Sequence, residues 1–165
     1  MMNRSGEVTT DIIQIKASGS LKSRHEFLIA GGNLGTLLLN AAKSEGTFQG
    51  AQESLLGFKK TSFWKSTYQL DVNGKAVAKA APFKALSRAL LIDHDQKQYK
   101  LIPKGGKNRS WQLLDKEQEP VCEYLLRGTF KRGALIRIIS PIKLKLLVFG
   151  YCLVSERWQE ESQAA

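Results

Sequence analysis

Short apolar runs recur along most of this chain, about every 8 to 12 residues, and each is bounded by Gly, Asn, Asp, Ser or Lys. This spacing is typical of an all-β sandwich or barrel, in which short strands alternate with turns. The pattern predicts about twelve antiparallel strands. In chain order they are DIIQIK (11 to 16), HEFLIA (25 to 30), TLLLNA (36 to 41), TFQGAQ (47 to 52), SLLGFKK (54 to 60), STYQLDV (66 to 72), KAVAKA (75 to 80), RALLIDH (88 to 94), QYKLIPK (98 to 104), SWQLLD (110 to 115), VCEYLLR (121 to 127) and GALIRII (133 to 139).

One turn is predicted in detail by the dipeptide Asn73-Gly74, which separates YQLDV from KAVAK. A two-residue type I′ turn needs positive φ at both central residues, and Asn followed by Gly suits that requirement. The predicted hairpin places Leu70 opposite Val77.

The last apolar segment breaks this rhythm, because every residue from Leu146 to Val154 is apolar or small. Ser140 followed by Pro141 is a typical helix start, and a helix that is hydrophobic on every side is buried on every side. The segment is shorter than the ~20 residues that a membrane-spanning helix needs. A buried strand is the alternative, but the run is long for a strand and has few β-branched residues. We therefore expect a helix over about residues 141–158 in the core.

Together these elements predict a mainly β fold, a closed antiparallel barrel of about twelve strands that encloses a C-terminal hydrophobic α-helix. The strands occupy about residues 10–139, and no long linker or internal repeat divides the chain. We expect residues 1–165 to form one domain with short tails.

The end of the chain, LKLLVFGYCLVSERW, resembles the tubby C-terminal-like superfamily, which includes the phospholipid scramblases and the plant LURP-one-related proteins. The run from Gly150 to Val154 is similar to the C-terminal helix of the scramblases, which occupies the axis of the barrel. The chain departs from the scramblases in lacking their proline-rich N-terminal region, their palmitoylated cysteine cluster and an acidic calcium-binding segment. The resemblance therefore implies a barrel with an axial helix, and it does not support calcium-driven lipid scrambling.

The chain carries a net charge of +10 and has a pI near 9.7, which predicts attraction to nucleic acid, anionic lipid headgroups or acidic proteins. Cys122 and Cys152 lie in apolar contexts and indicate buried, reduced thiols rather than a disulfide framework. The first 20 residues contain Glu7 and Asp11 and no unbroken apolar stretch, unlike a signal peptide. We expect a cytoplasmic protein, and peripheral association with a membrane stays open.

No enzyme motif emerges from the residues. His25 and His94 have no nucleophile motif nearby, so we expect surface or strand-end histidines. The string DHD (93 to 95) is interpreted as a hairpin turn, and neither GGNLG (31 to 35) nor KGGKN (104 to 108) has the spacing of a phosphate-binding loop. We predict a non-enzymatic protein with no catalytic residue, metal or cofactor.

The basic residues carry the remaining signal, because no acid occurs between Gln96 and Leu114 while a second basic group follows Leu126. Two neighbouring hairpin ends are therefore expected to be positive, with Tyr99, Trp111 and Phe130 beside them. Aromatic rings next to cations can insert at a membrane interface or stack on a base. The predicted headgroup-binding residues are Lys100, Lys104, Lys107, Arg109, Arg127, Lys131 and Arg132.

Two alternatives to this site remain open in the sequence. The first is a solvated basic surface without a ligand, with Trp111 in the core. A further basic patch is FKKTSFWK (58 to 65), in which Lys59, Lys60 and Lys65 bracket Phe63 and Trp64, although ordinary strand alternation also accounts for this pattern.

We predict a binding module that docks on anionic lipid headgroups through these hairpin ends. The resemblance to tubby proteins implies phosphoinositides as the lipid. The alternatives are a module that binds nucleic acid or an acidic protein, and a structural or interaction barrel. Nucleic-acid binding is expected to weaken steeply with salt and to need no lipid, whereas lipid docking requires an anionic lipid.

Overall fold

The computed structural model describes residues 2–51, 55–84, 88–105, 109–127 and 133–164, with side chains up to Glu161. It contains fourteen strands and one helix within these residues. The strands are β1 (Glu7–Val8), β2 (Ile12–Gly19), β3 (Lys22–Ile29), β4 (Gly32–Asn40), β5 (Glu45–Gly50), β6 (Leu56–Ser62), β7 (Thr67–Val72), β8 (Lys75–Pro82), β9 (Leu90–His94), β10 (Lys97–Lys104), β11 (Ser110–Leu114), β12 (Pro120–Leu126), β13 (Ala134–Ile138) and β14 (Ile142–Lys143), and the helix is α1 (Leu144–Ala164).

The twelve strands from β2 to β13 form a closed antiparallel barrel, as the sequence predicts. Each strand pairs with its neighbours in the chain, and β13 closes the ring by pairing with β2, where Ile136 lies opposite Ile13. Alternate side chains point inward, as in β9, where Leu90 and Ile92 are buried. All twelve predicted strands are present, with ends that differ by a few residues from the predicted ones.

The helix α1 occupies the interior of the barrel. Every residue from Leu146 to Ser155 is buried, so the prediction of a helix enclosed on all sides is confirmed. Phe149 contacts Phe58 of β6, and Tyr151 contacts Phe27 of β3, in edge-to-face pairs with ring centroids 6.1 and 5.3 Å apart. The hydrophobic core therefore consists of the inner face of the barrel wrapped around one helix.

The close approach of α1 to β12 depends on Gly150. The hydroxyl of Tyr124 donates a hydrogen bond of 2.9 Å to the carbonyl oxygen of Leu147, one helical turn before Gly150. A Cβ atom at position 150 would collide with the hydroxyl oxygen of Tyr124 and lie 2.8 Å from its ring carbon Cζ. Glycine is therefore required here by space.

The start of the helix was predicted wrongly, because Ser140 and Pro141 do not cap it. Ile142 and Lys143 instead form β14, which pairs with β1, and the amide of Leu144 donates a 3.1 Å hydrogen bond to the carbonyl of Gly6. The N-terminal segment thus satisfies backbone groups before the helix and delays its start to Leu144.

The predicted turn at Asn73-Gly74 is confirmed, with φ of 53° and 79°. The predicted pairing across it is wrong, because Leu70 lies opposite Ala78 and a register shift follows between Leu70 and Asp71. The shift leaves Val77 as the extra residue of a β-bulge.

Both cysteines are free and buried, as expected. Burial raises the pKa of the Cys122 thiol to about 12, although a hydrogen bond with Tyr124 lowers it slightly. The thiols therefore stay protonated and act as small apolar groups in the core.

Candidate functional site

The antiparallel topology sorts the connections between strands into two sets, one at each end of the barrel. The connections β2–β3, β4–β5, β6–β7, β8–β9, β10–β11 and β12–β13 share one end, which we call the basic end. The remaining connections and β1 lie at the opposite end. Residues that are distant in sequence can therefore form one surface.

The charges of the two ends differ strongly. By sequence, the six connections at the basic end contain no Asp or Glu, and those at the opposite end contain one Lys, Lys116, and no Arg. The cations of the basic-end connections are Lys43, Lys65, Lys84, Arg88, Lys107, Arg109, Arg127, Lys131 and Arg132. The acids of the opposite-end connections are Asp11, Glu53, Asp95, Asp115, Glu117 and Glu119, of which Glu53 lies outside the described residues.

Four acids do reach the basic end, and they belong to other elements. Glu45 is the first residue of β5, and the other three come from the end of α1. Glu161 forms an ion pair with Arg88, Glu160 lies 3.3 Å from Arg157, and Glu156 accepts a 3.0 Å hydrogen bond from the hydroxyl of Ser44. Burial raises the pKa of Glu156, and the Ser44 hydrogen bond partly offsets this effect. The carboxylates of Glu156 and Glu161 are therefore bound to the barrel rim, and that of Glu160 pairs within the helix.

Three of the predicted site residues come together at the basic end. Lys104 ends β10, Arg109 precedes β11 and Arg127 follows β12. The amide of Leu126 donates a 2.9 Å hydrogen bond to the carbonyl of Arg109, so the two hairpins are direct neighbours. The side chains of Arg109 and Arg127 are exposed.

Lys104 is partly neutralised by a carboxylate of β12, which lies 19 residues further along the chain. Its Nζ lies 2.8 Å from Oε1 of Glu123, which also accepts hydrogen bonds from Arg137 at 2.8 Å and Gln112 at 3.1 Å. Glu123 is only 4% exposed. Burial raises its pKa, but the hydrogen bonds from Lys104, Arg137 and Gln112 outweigh that effect, so the pKa lies below its ordinary value. Glu123 thus remains ionised and competes for the charge of Lys104.

The other predicted residues are placed differently or lie outside the described residues. Lys100 lies within β10, away from the hairpin end, with its Nζ 4.1 Å from the ring centre of Phe83 and 3.5 Å from Oε1 of Gln118. The residues outside the described ranges are Lys107, Phe130, Lys131 and Arg132.

Trp111 does not lie at the surface. Its ring is fully buried, and the guanidinium of Arg88 lies 5.7 Å from the ring centre. The interpretation of Trp111 as an interfacial aromatic residue is therefore wrong, and the alternative that places it in the core is confirmed. The reason is strand parity, since Trp111 and Leu113 both point into the barrel.

The exposed aromatic residues of the basic end lie elsewhere. Phe63 and Trp64, in the β6–β7 connection, are 65% and 98% exposed. Phe83, in the next connection along the barrel, is 37% exposed, and Leu21 in the β2–β3 connection is 56% exposed. The FKKTSFWK pattern indicated this position in the sequence. The signal in this pattern is a pair of aromatic residues in a turn, because neither ring can reach the core from there.

A groove of about 660 Å³ runs over the outer wall beside the basic end. Leu38, Thr47 and Gly57 lie side by side across its floor, each paired with the next. Its charged residues have both signs, and they are Lys22, Arg24, Glu45, Lys59 and Asp71. The ammonium of Lys59 lies 3.6 Å from the carboxylate of Asp71, so part of this charge is already paired.

His25 was expected at the surface or at a strand end, and this expectation is wrong. The residue is fully buried, because positions 23, 25 and 27 of β3 point into the barrel. Its Nε2 lies 2.8 Å from the hydroxyl of Ser23, and its Nδ1 lies 2.8 Å from the hydroxyl of Tyr151 on α1. Burial lowers the pKa of His25 to about 4, so the ring is neutral at pH 7.

The Ser23, His25 and Tyr151 side chains form a polar chain that joins the wall to the helix. Their exposed fractions are 9%, 0% and 1%. A serine beside a neutral histidine is a pairing that nucleophilic enzymes use, but here all three groups are enclosed by the core. The arrangement therefore fits a structural link. His94, by contrast, ends β9 as expected, and Asp95 and Gln96 form the predicted turn with φ of 56° and 62°.

No helix within the described residues is both long enough and apolar enough to cross a membrane. No group of three or more His, Cys, Asp or Glu side chains suited to a metal ion occurs in the same part of the chain. Comparison of the sequence and fold with protein-family models, curated proteins and solved structures found no match.

Proposed function

We propose that the protein is a non-enzymatic module that docks, through its basic end, on membrane surfaces that carry anionic lipid headgroups. The observation that carries this proposal is the separation of charge between the two ends. Six connections with no acid in their sequence gather at one end, while the connections at the other end contain six acids and one lysine. Such a distribution would orient the barrel axis toward a negative surface.

The size of the effect is sufficient for reversible docking. A Lys or Arg near an anionic leaflet contributes about 1 kcal/mol, so even a few exposed cations give substantial attraction. Arg109 and Arg127 are exposed, and so are Lys43, Lys65 and Lys84 on other connections of the same end. Lys104 and Arg88 contribute less, because Glu123 and Glu161 already pair with them. The resemblance to tubby proteins favours phosphoinositides among the anionic lipids.

Flotation with lipid vesicles tests the proposal. The full chain is mixed with neutral vesicles, with vesicles containing phosphatidylserine, and with vesicles containing a phosphoinositide, at about 0.15 M salt, where the Debye length is near 8 Å. We expect flotation with anionic vesicles only, and weaker flotation as salt rises. Stronger binding to the phosphoinositide than to phosphatidylserine at equal charge would identify the headgroup class.

A matched pair of charge reversals locates the surface. R109E/R127E changes two exposed cations of the basic end, and K75E/K116E makes the same change in net charge at the opposite end. We expect R109E/R127E to reduce binding roughly tenfold or more, at about 1 kcal/mol per charge, and K75E/K116E to reduce it much less. Equal losses in the two variants, or no binding by the unmodified chain, would overturn the proposal.

A second candidate is binding of single-stranded nucleic acid, favoured by the exposed Phe63 and Trp64 beside lysines. Aromatic side chains in such a setting can stack on bases. An oligonucleotide added to the flotation assay separates the two candidates, because a nucleic-acid module binds it without any lipid.

A further inference from the structure

The tip of the β6–β7 hairpin, residues 63–66, presents two aromatic side chains that the fold itself does not need. Polar contacts hold the turn: the amide of Lys65 donates to the hydroxyl of Ser62 at 3.2 Å, and the hydroxyls of Thr61 and Thr67 lie 2.7 Å apart. Neither contact involves an aromatic ring. Phe63 and Trp64 nevertheless occupy the tip, with 65% and 98% of their surface exposed.

The surroundings of this tip are basic. The ammonium of Lys60 lies 5.1 Å from the ring centre of Phe63, and Lys65 follows Trp64 directly and is exposed. The next connection repeats the pattern, because the ammonium of Lys84 lies 5.1 Å from the ring centre of Phe83. Two adjacent hairpins of the basic end thus combine a projecting aromatic residue with a lysine.

This combination fits one chemical environment, the boundary between lipid headgroups and acyl chains. Tryptophan is enriched there because its ring is apolar while its indole N–H still finds a hydrogen-bond acceptor. Lysine can extend its apolar stem along the same layer and keep its ammonium at the phosphates. A protein partner would need a complementary acidic pocket, whereas an anionic membrane supplies both parts of the environment at once.

We infer that the β6–β7 tip is a membrane anchor: Phe63 and Trp64 insert into the headgroup layer, and Lys60 and Lys65 contact lipid phosphates beside them. This inference rests on the proposed docking of the basic end, and it adds a site of insertion to a surface otherwise defined by charge. The inserted hairpin fixes which side of the basic end lies deepest, and Phe83 on the neighbouring connection lies next to it.

The chain offers its own probe for this inference. It has three tryptophans, and Trp111 and Trp158 are 0% and 3% exposed, so Trp64 is the one that solvent reaches. On adding vesicles with phosphatidylserine, we expect the Trp64 emission to shift to the blue and its quenching by acrylamide to fall. Lipids brominated near the top of the acyl chain should quench it, and the variant W64F should show neither change.

Variants separate insertion from charge. F63A/W64A removes both rings without changing any charge, and we expect it to weaken binding to anionic vesicles roughly tenfold or more, since each ring buries a large apolar surface. The matched control is L55A/I139A, which removes two apolar side chains that are 51% and 45% exposed at the opposite end. We expect that control to bind as the unmodified chain does. W64F should retain most of the affinity.

The outcomes distinguish this inference from the proposed function. If the unmodified chain binds no anionic vesicle, the docking proposal itself fails, and insertion fails with it. If the chain binds but Trp64 remains open to acrylamide and untouched by brominated lipid, the inference alone is overturned. The inference is also overturned if F63A/W64A binds as tightly as the unmodified chain. A protein partner would then be the favoured ligand of these rings.

Discussion

The Nδ1 atom of His25 lies 2.8 Å from the hydroxyl oxygen of Tyr151, and this contact joins the inner wall of the barrel to the central helix. The two rings also meet edge to face, with centroids 5.4 Å apart. Because Ser23 holds the other ring nitrogen at 2.8 Å, both nitrogens of a fully buried histidine have a partner. The link fixes the helix along and around the barrel axis in a way that apolar contacts alone would not.

Removal of the Tyr151 hydroxyl should therefore destabilise the fold. Y151F leaves Nδ1 of His25 without this partner in the core, which costs about 1–3 kcal/mol in the free energy of unfolding. Urea denaturation at pH 7 measures the change. Y99F, at a partly exposed tyrosine, serves as the control and should change stability by less than about 0.5 kcal/mol. Equal losses of stability in the two variants would show that the hydrogen bond between His25 and Tyr151 does not stabilise the fold.

The pKa of His25 predicts a loss of stability in acid. Burial lowers this pKa from 6.5 to about 4 in the folded protein, so between these values the unfolded state binds more protons than the folded state. Stability therefore rises with pH through this window and falls as the pH drops from about 6.5 to 4. The loss in the free energy of unfolding is at most about 3 kcal/mol.

The variant H25Q isolates this contribution, because it keeps a polar side chain but cannot titrate. We expect the stability difference between the unmodified chain and H25Q to shrink as the pH falls from 7 to 4, in a series of urea melts. His94, whose pKa is also lowered mainly by burial, is present in both proteins and cancels. A difference that stays constant with pH would contradict a neutral His25 in the folded state.

Substitution of Gly150 should separate helix propensity from packing. In an isolated helix, Gly to Ala is stabilising by about 1 kcal/mol. Here the added methyl group would collide with the Tyr124 hydroxyl, so we expect G150A to destabilise the protein by about 1–3 kcal/mol. Thermal or urea melts give the sign directly.

The double variant G150A/Y124F tests the cause. Y124F removes the hydroxyl in the way, although it also removes the hydrogen bond to Leu147. We expect the cost of G150A to be smaller in the Y124F background than in the unmodified chain, which is a favourable coupling between the two sites. Strict additivity would mean that the methyl group is accommodated elsewhere.

Neutralising Glu123 should strengthen membrane docking. In E123Q, the charges of Lys104 and Arg137 lose their carboxylate, and Lys104 lies at the basic end. One more available cation is worth about 1 kcal/mol at an anionic surface, or roughly a fivefold gain in affinity. Flotation with phosphatidylserine vesicles measures it, and E117Q, which makes the same charge change at the opposite end, is the control. A gain of the same size in E117Q would indicate net charge alone.

Much of the fold was predictable because each strand buries one face and each turn has turn residues. The central helix was predictable for the opposite reason, since no side of Leu146–Val154 is polar. β1 and β14 could not be predicted, because two residues define no period. Strand parity alone places His25 inward, because it is two residues from Phe27. A polar residue is expected in a core only if it has a partner there, and the partner Tyr151 is distant in the sequence.

The candidate surface was predictable only in part. A cluster of basic residues in the sequence shows the charge of one hairpin, but it does not show which other hairpins lie beside it in the fold. Arg109 and Arg127 lie on neighbouring hairpins, as the sequence predicts, whereas Lys100 lies within a strand. Once an antiparallel ring is assumed, alternate connections belong to the same end, and the absence of acid from six of them becomes visible. The exposure of Trp64 and the burial of Trp111 needed strand ends that the sequence placed only to within a few residues.

The order of elements along the chain also affects biosynthesis. A ribosome makes all twelve barrel strands before it makes α1. The inward-facing side chains, such as Phe27, Phe48 and Trp111, therefore have no helix to pack against while translation continues. The barrel closes by pairing of β2 with β13, and this pairing cannot form until β13 has been synthesised. Nascent chains therefore expose apolar strands for most of their synthesis, and we expect them to depend on chaperones until the helix has left the ribosome.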